Sequence, residues 1–265
     1  MENQAEKYRI GKVYITATWP EDADRRIIVL AKQFKPSYVC VSNMRTVAIA
    51  NQDSAYCKVM NQAAMCLPDG MPLVWMARLW GLKQVQRTVG PDLFMRMIEQ
   101  SQCGLNHFLL GDTEETLSTM KTKFSKQGAS RIVGPYSPPF CELENYNYAE
   151  IADQINRSGA EVVWLSLRAP KQDLFAVRLL PYLERGVCVG VGAAFRFSLG
   201  EIKHPPKWVQ KLGLTGLFWR KFNMAEAWWY VKHVIFLSRY TIDIMCARCK
   251  TFVRLSTHIY RDASK

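Results

Sequence analysis

Short apolar runs recur along the first 200 residues, separated by amphipathic stretches of helical period. The runs Val13–Thr18, Tyr38–Ser42, Ala64–Leu67, His107–Gly111, Arg131–Gly134, Glu161–Leu167 and Val187–Val191 predict strands. Segments near 21–34, 53–62, 71–80, 91–102, 113–127, 147–157 and 171–183 predict helices. Strands alternating with helices of about 10–15 residues imply βαβ units, hence an α/β fold with a mostly parallel sheet and helices on both faces. No repeat or low-complexity linker interrupts the pattern. Tyr136-Ser-Pro-Pro-Phe140 reads as a turn-rich loop, and His204-Pro-Pro-Lys207 marks the exit from the α/β part. The chain therefore divides into a core over residues 1–200 and an appendage over 201–265. A helical pattern at 224–240 is interrupted by Lys232 and Arg239, which suits an interfacial helix better than a membrane span.

In an α/β sheet, ligands bind outside the carboxyl ends of the strands, so the turns there matter most. Glu161–Leu167 runs into Arg168-Ala-Pro and then Lys171-Gln172-Asp173, a strand, a turn and a helix start. Free N–H groups and the positive dipole end at such a start favour an anion; a solvated βα turn is the plain alternative. Asp69, in Pro68-Asp69-Gly70, follows the strand Ala64–Leu67 and is placed to act as a general base or to cap the next helix. Arg87-Thr-Val-Gly90-Pro-Asp92 is a second loop-to-helix entry, whose Arg87 could clamp a pyrophosphate. Gly190-Val-Gly192-Ala-Ala-Phe195 is a partial dinucleotide fingerprint lacking its third Gly. Asp22-Ala-Asp24 has the form of a metal-binding Asp-x-Asp, but it opens an amphipathic helix and reads as helix-start charge. No phosphate loop with a terminal Lys-Ser/Thr and no Gly-x-Ser-x-Gly elbow is present, and the four His lack ligand spacing.

Charge changes the picture at the end of the chain. Of a net +12, residues 201–265 carry +8, together with four of the eight Trp. Basic and aromatic composition suits an anionic membrane surface or nucleic acid, and a non-catalytic α/β protein binding either one is the competing reading. The eight scattered Cys fit reduced, buried thiols, and the lone Cys246-Ala-Arg-Cys249 lacks two further ligands for zinc. The polar start of the chain has no apolar segment of the signal-peptide kind.

The order of the motifs is more specific than any one of them. Pro68-Asp-Gly-Met-Pro-Leu-Val-Trp75, Arg87-Thr-Val-Gly-Pro-Asp-Leu93, Phe108-Leu-Leu-Gly111, Ala169-Pro-Lys-Gln-Asp173 and Gly190-Val-Gly-Ala-Ala-Phe195 follow one another, then Gly200 to Leu214. This series resembles the bacterial WecG/TagA/CpsF glycosyltransferases over about residues 39–220. The resemblance implies a Rossmann-like core and a C-terminal membrane-docking appendage. It implies a metal-independent, inverting transfer of a sugar, of glucose or N-acetylmannosamine type, from a UDP-sugar to a polyprenyl-diphosphate-linked sugar. No cofactor is expected. The expected partners are the two substrates and the inner face of the cell membrane, where the protein would sit as a peripheral cytoplasmic enzyme. A homo-oligomer is compatible with this reading, and nucleic acid is not an expected partner. Carried over by position, Asp69 is the base. Ser42, Asn43, Gly70, Arg87, Gly90, Asp92, Gly111, Asp112, Lys171, Gln172, Gly192 and Phe195 are the substrate-binding residues. The chain departs from the family pattern at Arg168, where the family has Gly, and at Arg196, where it has Asp. The family's tail arginines are replaced at 224–233. The two extra cations suggest a different donor or an acidic acceptor.

Overall fold

Seven apolar runs predicted strands, and all seven form one. The computed structural model describes residues 6–99, 104–126, 131–215, Phe218, Ile235 and Tyr240. Its strands are β1 (Lys7–Ile10), β2 (Val13–Thr16), β3 (Ser37–Ser42), β4 (Met65–Pro68), β5 (Asn106–Gly111), β6 (Arg131–Tyr136), β7 (Val162–Ser166) and β8 (Val187–Gly190). Its helices are α1 (Pro20–Ala31), α2 (Met44–Gln52), α3 (Ser54–Gln62), α4 (Met71–Leu79), α5 (Gly90–Glu99), α6 (Glu114–Lys126), α7 (Tyr148–Ser158), α8 (Lys171–Leu179), α9 (Ala194–Ser198) and α10 (Lys207–Lys211).

β3 to β8 form a parallel sheet in the order β4-β3-β8-β7-β5-β6. Side chains alternate across it. Tyr38, Cys40, Cys66, Val163, Leu165 and Cys188 enter a core under α2, α3, α4, α7 and α8. Val39, Val41, Leu67, Val162, Trp164 and Val189 enter a second core under α1, α5, α6 and α9. Burial on both faces is why the strands inside the edge strand β6 read as continuous apolar runs. Trp164 lies in the second core, where its indole N–H donates to His107 Nδ1 at 3.0 Å; burial pushes this His down to about 4, so it is a neutral core residue.

The first predicted strand does not join this sheet. Val13–Thr16 pairs antiparallel with β1 around a turn at Gly11-Lys12. β1 exposes Lys7 and Arg9 and buries Tyr8 and Ile10, so it covers the first core with one face only. Four residues of alternating polarity are too short a signal to stand out in the sequence. The stretch before 53–62 is also a helix, α2, and Asp53 ends it while capping α3. The sequence does carry a start signal there: Asn43 accepts from the backbone N–H of Thr46, and the Thr46 hydroxyl accepts from the Asn43 N–H.

Of residues 201–265, expected as an appendage, the structure describes part. α10 and the turn after it pack on the core: Val209 is buried, and Gly213 sits where a Cβ would fall 2.9 Å from the Trp75 ring. The Tyr240 hydroxyl donates to Asn51 Oδ1 at 3.3 Å. The helix expected at 224–240, apart from Ile235 and Tyr240, and the Cys246–Cys249 pair lie outside the described residues. Among the described residues no helix is long and apolar enough to cross a membrane.

Candidate active site

The sheet's topology decides where a ligand can sit. β8 lies between β3 and β7; the chain leaves β8 toward α9 in the second core, but leaves β3 and β7 toward α2 and α8 in the first. Loops that part to opposite faces open a crevice at the carboxyl edge. Between α4 and α5 the chain changes face along that same edge. Thr88 N–H donates to Pro68 C=O at 2.8 Å, and Gly90 comes so close to Val191 that a Cβ would lie 3.0 Å from its carbonyl oxygen. The predicted site residues therefore arrive at one edge from five strand ends and one crossing segment.

Asp69 sits at the end of β4, with its backbone N–H donating to Ser42 C=O at 2.8 Å. This bond joins its turn to that of Ser42 and Asn43. Its carboxylate is partly buried and has no hydrogen-bond partner among the described residues. Burial pushes it up to about 6; the Arg87 charge opposes the rise, and Asp92, exposed on the first turn of α5, adds to it. Such a group is ionised at neutral pH yet basic enough to take a proton. Gly70 starts α4 with no side-chain cap, so Asp69 is not the helix cap that the alternative reading allowed.

Asn43 is exposed at the start of α2, and its Oδ1 accepts from the N–H groups of Arg45 and Thr46. Its amide NH2 keeps no protein partner among the described residues and is left free to donate to a ligand. Ser42 is different: its hydroxyl is fully buried against Cys66 Sγ at 3.0 Å. Arg87 donates to Gln210 Oε1 at 2.7 Å, so α10 reaches the residue expected beside the donor.

At the β7 turn, three consecutive residues go three ways. Lys171 donates to Cys141 C=O and stacks its ammonium 5.1 Å from the ring centres of Phe140 and Tyr146, in the loop after β6. Gln172 is buried and its Oε1 accepts from Gly192 N–H at 3.0 Å, while its Nε2 lies only 2.6 Å from where a Cβ on Gly190 would stand. Gln172 thus shapes the β8 turn from behind. Asp173 points into the first core, where its Oδ2 accepts from the Tyr56 hydroxyl at 2.6 Å. Burial pushes Asp173 up to about 6 against hydrogen bonds from Tyr56 and Cys40.

Gly111 ends β5 at φ +111°, with space for no Cβ beside the Ser166 carbonyl. Asp112 follows in the left-handed region and binds Arg196 with both oxygens, at 2.8–3.2 Å. Burial disfavours the Asp112 charge, but hydrogen bonds from Arg196, the Thr113 N–H and Thr116, together with the Arg196 charge, outweigh this and hold it below the usual carboxylate range. Arg196, expected as an extra cation for substrate, is thereby matched by a partner within the protein. The Phe195 ring is fully buried 5.4 Å from Phe94, bracing α9 against α5. Arg168 remains exposed, at φ +62°, with no side-chain partner among the described residues.

The Asp-x-Asp pair is structural. Asp22 binds Thr18, Arg25 and Arg26, and Asp24 binds Arg96 on α5. A surface groove of about 400 Å³ between α7 and the 182–184 turn carries none of the candidate residues.

A WecG/TagA/CpsF glycosyl transferase family model matches residues 8–241. The chain is also similar to the N-acetylglucosaminyldiphosphoundecaprenol N-acetyl-beta-D-mannosaminyltransferase of Bacillus subtilis (strain 168). The two are 23% identical over 197 residues, 74% of each chain. With a match that runs from the hairpin through α10, over a crevice that gathers a free basic carboxylate and an arginine at one sheet edge, this chain belongs to the WecG/TagA/CpsF glycosyl transferase family and is a glycosyltransferase.

Proposed function

We propose that the protein transfers an N-acetylmannosaminyl group from its UDP-sugar to a polyprenyl-diphosphate-linked N-acetylglucosamine. The transfer inverts the anomeric centre and needs no divalent metal. The sugar and acceptor are suggested by the printed activity of the Bacillus subtilis relative. The observation that carries the mechanism is Asp69, an unpartnered carboxylate raised to about 6 at the crevice edge, beside the Arg87 charge.

In this reading the acceptor hydroxyl gives its proton to the Asp69 carboxylate as its oxygen attacks the anomeric carbon. The bond from that carbon to the UDP oxygen breaks on the opposite face, and UDP leaves with the electron pair. Arg87 and the backbone N–H groups of the turns stabilise the growing negative charge. The basic, aromatic appendage holds the lipid diphosphate at the cytoplasmic face of the membrane.

The test combines binding and turnover. UDP-N-acetylmannosamine is expected to raise the melting temperature more than other UDP-sugars, because it binds only the folded state. Turnover on the lipid-linked acceptor should persist in EDTA and give a product of inverted configuration by NMR. Equal stabilisation by every UDP-sugar would remove the donor assignment, and loss of turnover in EDTA would remove metal independence.

A further inference from the structure

Among the cations at or beside the crevice are the four that the sequence singles out: Arg87, Arg168, Lys171 and Arg196. Three have partners in the protein. Arg87 binds Gln210, Lys171 binds the Cys141 carbonyl and two aromatic rings, and Arg196 is bidentate on Asp112. Arg168 alone of the four has no side-chain partner among the described residues.

Its backbone sets it apart as well. Arg168 stands at φ +62°, a conformation that favours glycine. Asp112 shares this region, but its carboxylate is fixed by Arg196. Nothing within the described protein holds the Arg168 side chain in return for the strained backbone. Strain of this kind at a ligand edge points to a role in binding. The location agrees: Arg168 follows β7, directly beside the Gly190–Gly192 turn of β8, and its carbonyl accepts from Gln172 N–H at 2.9 Å. Asp69 is three strands away, roughly 14 Å at about 4.8 Å per strand, a span that a nucleotide sugar can cover.

Resting on the donor reading above, we infer that Arg168 is a specificity-determining residue that pairs with an oxyanion of the sugar donor. A guanidinium offers two parallel N–H donors to such a group. Two parts of a nucleotide sugar can carry the oxyanion: the diphosphate and, in a uronate donor, the sugar carboxylate.

The test is calorimetric titration of the unmodified protein, Arg168→Gly and Arg168→Lys with uridine, UDP, UDP-N-acetylmannosamine and its uronate. Glycine adopts this backbone freely, so Arg168→Gly is expected to melt no lower than the parent, which separates binding from folding. If the diphosphate is the partner, Arg168→Gly weakens UDP about ten-fold or more and leaves uridine unchanged. If the carboxylate is the partner, only the uronate weakens. Arg168→Lys keeps part of the affinity in either case. The assignment is overturned if Arg168→Gly binds every ligand as the parent does. If the unmodified protein binds none of them, the donor reading itself falls and takes this assignment with it.

Discussion

Asp69, on the turn after β4, and Asp173, in the first turn of α8, follow strands of one sheet, and burial raises both to about 6. Their surroundings differ in every other respect. Asp69 is partly open, lacks a hydrogen-bond partner among the described residues and feels a neighbouring arginine. Asp173 is sealed in the core, with Tyr56 donating to it at 2.6 Å. A raised carboxylate is therefore not by itself a mark of catalysis, nor is an unpartnered oxygen, since Asp173 Oδ1 also lacks a partner among the described residues; access makes the difference. The same displacement from the ordinary value serves proton transfer in one place and helix anchoring in the other.

The largest expected effect is on Asp69. Asp69→Asn should lower turnover about a hundred- to ten-thousand-fold while UDP still binds. Its stability should not fall. A carboxyl raised in the folded state opposes folding increasingly as pH rises from about 4 and in full above about 6, so the neutral amide should stabilise by on the order of 1–3 kcal/mol at pH 8 and by nothing below pH 4. Urea unfolding at both pH values measures this, and a variant that is inactive because it is unfolded would break the distinction.

Tyr56→Phe tests the other side. It leaves an ionised Asp173 oxygen unpaired in the core and should cost about 1–3 kcal/mol at pH 8. The loss should shrink toward pH 5 as Asp173 takes up a proton, and kcat should stay near the parent value. A variant as stable as the parent at pH 8 would show that the Tyr56 bond does not anchor α8.

The smallest effect concerns pH alone. The acid limb of kcat should fall near pH 6, following Asp69. Arg87→Gln removes a charge that favours the Asp69 carboxylate, so the limb should move up by a fraction of a pH unit. The pH dependence of stability that belongs to Asp173 should not move with it. A limb unchanged in Arg87→Gln would mean that the titrating group is not Asp69.

Much of this architecture is legible in the sequence, for reasons of burial. Strands covered on both faces write continuous apolar runs, so β3, β4, β5, β7 and β8 and the turns after them can be read from the order of residues, whereas the edge strand β6 buries none of its residues fully. The β1–β2 hairpin cannot, because Lys7–Ile10 buries one face over four residues. α9 and α10, at five residues each, are shorter than two helical turns and show no period. Within the site, residue type and position after a strand or before a helix picked out Asp69 and Arg87, and the family resemblance added Asn43. It did not disclose partners far along the chain: Gln210 for Arg87, 123 residues away, or Asp112 for Arg196, 84 residues away. Nor did it separate Phe195, whose ring is core, from the glycines before it. Spacing carries the backbone path, but a long side chain finds its partner only after the strands are in order.

Lys171, Gln172 and Asp173 bear on the genetics of this chain. Successive side chains at a helix start diverge by about 100°, and here they part toward an aromatic loop, the β8 turn and the core. Substitutions at these three neighbouring codons thus act on unlike things: one on a loop's anchorage, one on the shape of the β8 turn, one on the core. Adjacency along the chain is a poor guide to shared constraint in this segment, and a change tolerated at one codon carries no licence for the next.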